Sequence, residues 1–156
     1  MPDVTVIRDV LRNGFDQTDL AWVPWSEPGR VGVEYVVLWG PDPAEDEDSA
    51  SLLLRFPPGA HGDFHEHLGH ELMLVLDGTL DHSDGRRFHR GDLIVEEPGT
   101  RHQMSSADGC TVLAVRARPA ASRTPEAGEI TTGVGAGATT GVAGATTGVA
   151  AGVPSA

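Results

Sequence analysis

A chain of 156 residues with a formal net charge of −12 and a pI near 4.8 is read as one domain plus a tail, and its charge excludes nucleic acid and anionic membrane as partners. All 11 basic side chains are arginine, so lysine Schiff-base chemistry, including lysine-anchored pyridoxal phosphate, is excluded as well. The start, Met1-Pro-Asp-Val-Thr-Val-Ile-Arg8, has no apolar core of signal-peptide length, and no run reaches membrane-spanning length. A cytoplasmic protein is the expectation.

Residues 3–12 read as a strand or a short helix. Gly32-Val-Glu-Tyr-Val-Val-Leu-Trp39 and Ser51-Leu-Leu-Leu-Arg-Phe56 read as strands, separated by the acidic run Pro41–Asp48. That run lacks the regular oxygen-ligand spacing and the glycine of a calcium loop, so it reads as a solvated turn. Glu71-Leu-Met-Leu-Val-Leu76 is long and apolar enough for a buried strand, closed by Asp77-Gly78. Asp81–His89 reads as a polar hairpin around Asp84-Gly85, with His82 and His89 exposed. Gly91-Asp92, the strand Leu93-Ile94-Val95 and the turn Pro98-Gly99 then lead to His102. The single Cys110 opens the apolar run Thr111–Val115 and reads as a small buried strand residue, with a thiolate ligand or nucleophile as the sharper alternative. Many short strands with Gly/Pro punctuation predict an all-β barrel or jelly roll over residues 1–120. From 121 to 156 a flexible tail is predicted: residues 131–156 carry no charge or aromatic ring, and Gly-Ala-Thr-Thr-Gly-Val-Ala occurs at 137–143 and again at 144–150.

All seven histidines fall between His61 and His102. Two blocks carry the chemistry: G-x5-H-x-H-x3-E-x6-G from Gly59 to Gly78, and G-x7-G-x2-H from Gly91 to His102. A His-x-His pair suits a strand, because alternate side chains project to one face. His65 and His67 can therefore grip one ion, with Glu71 four residues beyond and His102 returning from the second block. Three imidazoles and a carboxylate are a ligand set for one divalent transition metal per subunit. His61 and His70 flank this set as candidate catalytic acid–base residues, the competing reading being solvated loop positions. If Glu71 and Met73 share an inward face, Val75, Met104 and part of 52–56 join them in a mainly apolar pocket for a small-molecule substrate or ligand.

The two blocks resemble the paired motifs of the cupin superfamily. The first agrees at every defined position. The second departs at Glu97, where a proline is usual, and at Ser106, where asparagine is common. Trp22-Val-Pro-Trp25, Arg55-Phe-Pro-Pro-Gly59, Glu97–His102 and Asp108-Gly-Cys110 are similar to the cupin domain of ChrR-type anti-sigma factors. The resemblance implies a double-stranded β-helix in which His65, His67, Glu71 and His102 are the metal ligands. It also implies two main function classes, with a third as a further alternative. One is an iron(II) dioxygenase acting on a β-dicarbonyl or aryl ketone, as in small acetylacetone- and dihydroxyacetophenone-type cupins. The other is a zinc-binding sensor or ligand-binding module; a non-redox isomerase or cyclase is a further alternative. The expectation favours the enzyme, because the residues upstream of Trp22 contain no cysteine and do not resemble the helical zinc domain that precedes the ChrR cupin. Iron is the metal favoured for an enzyme and zinc for a sensor, with manganese and nickel as alternatives. Thiol dioxygenases are disfavoured, since they lack the carboxylate that Glu71 supplies. The apolar outer face of Leu72-Leu74-Leu76 predicts a homodimer, unless the N-terminal segment covers it.

Overall fold

The computed structural model describes residues 3–12, 14–43 and 48–130. The acidic loop at 44–47 and most of the expected tail, 131–156, lie outside the described residues. The chain forms β1 (Val23–Pro24), β2 (Glu34–Trp39), β3 (Ala50–Phe56), β4 (Ala60–His61), β5 (His65–His67) and β6 (Glu71–His82). It continues with β7 (Arg87–His89), β8 (Leu93–Glu96), β9 (Arg101–His102), β10 (Met104–Ser106), β11 (Cys110–Arg116) and β12 (Ala120–Ser122). Every ladder is antiparallel. The large sheet runs β1-β2-β3-β11-β6-β10-β4, with β7 and β8 also paired to β6; a second sheet runs β12-β5-β9. This is the expected all-β cupin-type jelly roll.

Apolar side chains pack on both faces of the large sheet. Inside lie Trp25, Tyr35, Leu52, Phe56, Met73, Val75, Leu80, Met104 and Val112. Outside, Phe15, Leu53 and Leu76 are buried, with Ile7, Val10, Leu20 and Trp22 packed against them. Each of these larger side chains contributes roughly 1.5–3 kcal/mol on burial. The strand or helix expected over 3–12 does not form. Asp9 takes φ 55°, and the chain turns back through hydrogen bonds from Arg12 N to Asp9 O and from Phe15 N to Arg12 O. The segment lies across the outer face as an irregular strap that presents Ile7 and Val10.

β6 carries the barrel's main irregularity. Thr111 pairs with Asp77 but Val112 pairs with Val75, which leaves Leu76 as an extra residue. Val75 faces the inner core and Leu76 the outer cluster, so both are buried in succession. The inward set thus switches from Glu71, Met73 and Val75 to Leu80 and His82. Gly78 follows the bulge at φ 75°, where an added Cβ would sit 2.0 Å from the Gly109 carbonyl oxygen. His82, read as exposed from its hairpin composition, is therefore buried at 4% exposure. His89 is exposed as expected.

β12 pairs residue for residue with the histidine strand: Ala120 with His67, Ala121 with Glu66 and Ser122 with His65. Arg123 N then donates to Phe64 O. The ordered barrel thus continues past residue 120 and clamps β5 from the side opposite β9.

Candidate metal centre

β5 is the seat of the site. Strand alternation sends His65 and His67 to one face, and β9 places His102 directly opposite His65. His102 Nε2 lies 2.9 Å from His65 Nε2 and 3.1 Å from His67 Nε2. Donors about 2.1 Å from one ion in adjacent octahedral positions lie about 3.0 Å apart. Both spacings from His102 therefore fit donors in adjacent positions around one ion, and all three donor atoms lie within 4.8 Å of one another.

The other nitrogen of each ring is anchored. His65 Nδ1 is 3.0 Å from the Asp63 carbonyl oxygen and 3.6 Å from its carboxylate. His67 Nδ1 is 3.0 Å from Glu71 Oε2, and His102 Nδ1 is 3.4 Å from Glu96 Oε1. The Asp63 carbonyl and the Glu71 carboxylate are acceptors and assign the proton to Nδ1 on His65 and His67; Glu96 favours the same tautomer on His102, whose Nδ1 also meets His82 Nε2 at 3.0 Å. Three Nε2 lone pairs then face one another. Protein groups in that arrangement repel, and a cation satisfies all three at once, so the residues fit a divalent metal.

The electrostatics agree. Burial, together with His65 and His67, outweighs the Glu96 hydrogen bond and lowers His102 to about 4, so the ring is neutral at physiological pH. Burial alone would raise Glu96, but its hydrogen bond to His102 and the neighbouring imidazoles hold it down at about 2. Asp63 also stays at about 2, where burial is outweighed by His65, Arg30 and the Ser122 hydroxyl. Glu71 is lowered too: burial opposes ionisation, and the His67 hydrogen bond with the three imidazoles overcomes it.

The structure brings together three of the four expected ligands. Glu71 stands beside them, but its carboxylate is turned onto His67 Nδ1 rather than into the Nε2 triangle. His61 is half-buried, its Nδ1 near Gly62 O at 2.9 Å and Gln103 Nε2 at 3.2 Å. His70 is exposed. Neither lines the cavity beside the triad.

Two residues absent from the sequence reading of the site complete it. Glu96 ends β8 opposite Glu71, and His82 Nε2 lies 3.0 Å from His102 Nδ1. With His102 they form a second buried group whose donor atoms lie within 4.8 Å of one another. The Ile94/Glu96 alternation was a legible signal for the glutamate. Nothing in the sequence marks the bulge that turns His82 inward. Cys110 is buried, and burial pushes its thiol up to about 12 despite the Ser106 hydrogen bond, which makes it inert.

The cavity is small, about 60 Å³, and its wall includes Leu52, Leu54, Phe56, Met73, Met104 and Val112. His65, His102, Glu71, Arg30 and Arg116 supply its polar groups. Val75 is buried nearby but does not line it.

The family described as the ChrR cupin-like domain matches residues 12–120. No curated protein matches the sequence. A chain of the Rhodobacter sphaeroides complex of SigE with the anti-sigma ChrR is similar at 25% identity and TM-score 0.52, over 65% of this chain and 51% of that one. The present chain thus spans about half of that relative. The polyketide cyclase RemF from Streptomyces resistomycificus aligns at 16% identity and TM-score 0.58, over 74% of this chain and 87% of its own. An acetylacetone dioxygenase from Acinetobacter johnsonii aligns at 15% and 0.60, over 85% and 84%. At these identities the last two share the fold alone.

Proposed function

The chain belongs to the ChrR cupin-like family, and on that footing we propose that it is a metal-dependent enzyme acting on a small oxygenated organic molecule, by iron(II)-dependent dioxygenation of a β-dicarbonyl. The observation that carries this reading is the convergence of three anchored imidazoles, two of which, His65 and His102, line a mainly apolar cavity. His65, His67 and His102 would hold one ion, and a side-chain rotation would bring Glu71 in as the fourth ligand. When bound, a redox-active divalent ion supplies Lewis acidity and dioxygen chemistry. The chain's own residues orient the ligand set, hold the His102 imidazole neutral and exclude water with the apolar wall. No proton transfer is assigned to His61 or His70, which lie off the cavity.

Cavity size narrows the substrate. Sites for drug-sized ligands run from about 300 Å³ upward. A space of about 60 Å³ favours a compact dicarbonyl over an aryl ketone. The shared fold with an acetylacetone dioxygenase is in keeping with that choice.

A second reading has its own observation. The family match and the likeness to the SigE–ChrR complex favour a zinc-binding sensor whose partner is a sigma factor. Oxygen uptake separates the readings. Protein loaded with iron, manganese or zinc is given acetylacetone, related diketones and compact β-keto acids. The enzyme reading expects turnover with iron and none with zinc. Equal turnover with zinc replaces it with a non-redox isomerase or cyclase. Metal binding without turnover under any loading favours the sensor.

A further inference from the structure

The cavity wall holds a charge that the triad does not use. Arg116 ends β11 on its inward face, opposite Glu71 on β6 and Ala50 on β3. It is 8% exposed, and its Nε and Nη2 atoms are buried with no hydrogen-bond partner. The other charged side chains of the cavity are engaged. Arg30 Nη2 pairs with Asp63 at 2.8 Å, its Nε, although without a hydrogen bond, faces the Glu27 carboxylate at 3.4 Å, and its guanidinium stacks 3.9 Å from the Trp25 ring. Glu71 is turned onto His67. Among the described residues no carboxylate forms an ion pair with Arg116; Glu71 and Glu27 act on it only at longer range.

A guanidinium out of water and without a counterion is unfavourable unless something else offsets it. Its planar fork of N–H donors matches a carboxylate in two parallel hydrogen bonds. With a divalent ion on the triad, the cavity would hold two centres of positive charge, the ion and Arg116, facing one small apolar space. We propose that Arg116 is the anion-binding residue of the cavity, and that the ligand taken beside the histidine triad bears a carboxylate. The inference rests on the reading of the triad as a ligand-accessible metal centre and adds the charge of the substrate.

The test compares pyruvate with butane-2,3-dione, probes of one shape that differ by a carboxylate oxygen in place of a methyl group. Each is titrated into the cobalt(II)-loaded full chain, followed by the metal's visible absorption and by calorimetry. Pyruvate is also titrated into the metal-free chain. The native chain should prefer pyruvate. Arg116→Met should cut that preference roughly tenfold to a hundredfold, with cobalt content and dione affinity unchanged. Arg116→Lys should keep part of it. Because Arg116→Met removes an uncompensated buried charge, it should melt at or above the native temperature.

An unchanged preference in Arg116→Met overturns the proposal. So does a variant that melts several degrees lower and weakens both probes alike, since Arg116 would then be structural. If neither probe perturbs the cobalt spectrum, the metal-centre reading fails instead. The metal-free titration still decides on Arg116: pyruvate binding that the methionine variant loses upholds the anion subsite, and no binding rejects it.

Discussion

An imidazole presents a lone pair to a metal only when its second nitrogen keeps the proton, and here carboxylates and a carbonyl on three separate segments enforce that choice. Asp63 precedes β5, Glu71 opens β6 and Glu96 ends β8, and each meets one ring of the triad. Removing one anchor should therefore weaken metal binding without deleting a ligand. Glu96→Gln is expected to lower affinity roughly tenfold to a hundredfold, measured by competition with a chromophoric chelator. Glu71→Gln should lower it further, because it removes the anion that holds His67 Nδ1 in one rotamer and would join the metal in the other. An equal, negligible effect of both variants would show the anchors to be idle. His82→Ala should also disturb the site, since it leaves His102 Nδ1 with Glu96 alone. His89→Ala, on the solvent side of the hairpin, should do nothing.

β6 is the element on which the site turns. Its first half delivers Glu71 and Met73 to the cavity, and its second half delivers His82 only because Leu76 is bulged out of register. Gly78 sits where the strand passes the Gly109 backbone, at a φ that side chains seldom adopt. Gly78→Ala should cost at least about 2 kcal/mol in urea unfolding, since a backbone contact of 2.0 Å cannot be relieved by a rotamer change. At this scale the sequence was legible wherever a side-chain period repeats. His65-x-His67 fell on one face of a strand, Leu93–Val95 formed another, and Gly91 and Gly99 marked turns, whereas Asp77-Gly78, expected to close its strand, lies inside β6. It was not legible where the period breaks. The bulge reverses inside and outside for His82, and the turn at Asp9 converts an apolar N-terminal stretch into a strap. Arg116 carries no such signal, because a charge at the end of an apolar strand looks like a strand terminus reaching solvent. Only the closure of β11 against β6 shows that it turns inward.

For the whole molecule, burial of ionisable groups couples folding to pH. The ordinary histidine value is 6.5, and folded His102 sits at about 4. As pH falls through that window the unfolded chain takes up a proton that the folded chain refuses. Metal-free protein should thus lose stability between about pH 6.5 and 4, by roughly 3 kcal/mol from this residue. Glu96 extends the loss from its ordinary 4.5 down to about 2. Urea midpoints that stay level from pH 7 to 4 would contradict this. The surface makes a separate prediction. The N-terminal strap covers Leu53 and Leu76 but leaves Leu72, Leu93 and Val95 exposed at 42%, 62% and 57%, with Leu72 paired to Val95 across β6 and β8. We propose that this face joins two subunits. Light scattering should give about twice the 16.4 kDa chain mass, and Leu93→Asp combined with Val95→Asp should return it to the monomer value. A native monomer at micromolar concentration removes the dimer. Among the described residues no helix is long and apolar enough to cross a membrane. Metal analysis of untagged native protein and His102→Ala decides whether one ion is held by the carboxylate-anchored histidine triad. One transition metal per native chain is expected, with nearly all of it lost in the variant. Native protein that binds no metal after reconstitution, or a variant that retains a full equivalent, would contradict it.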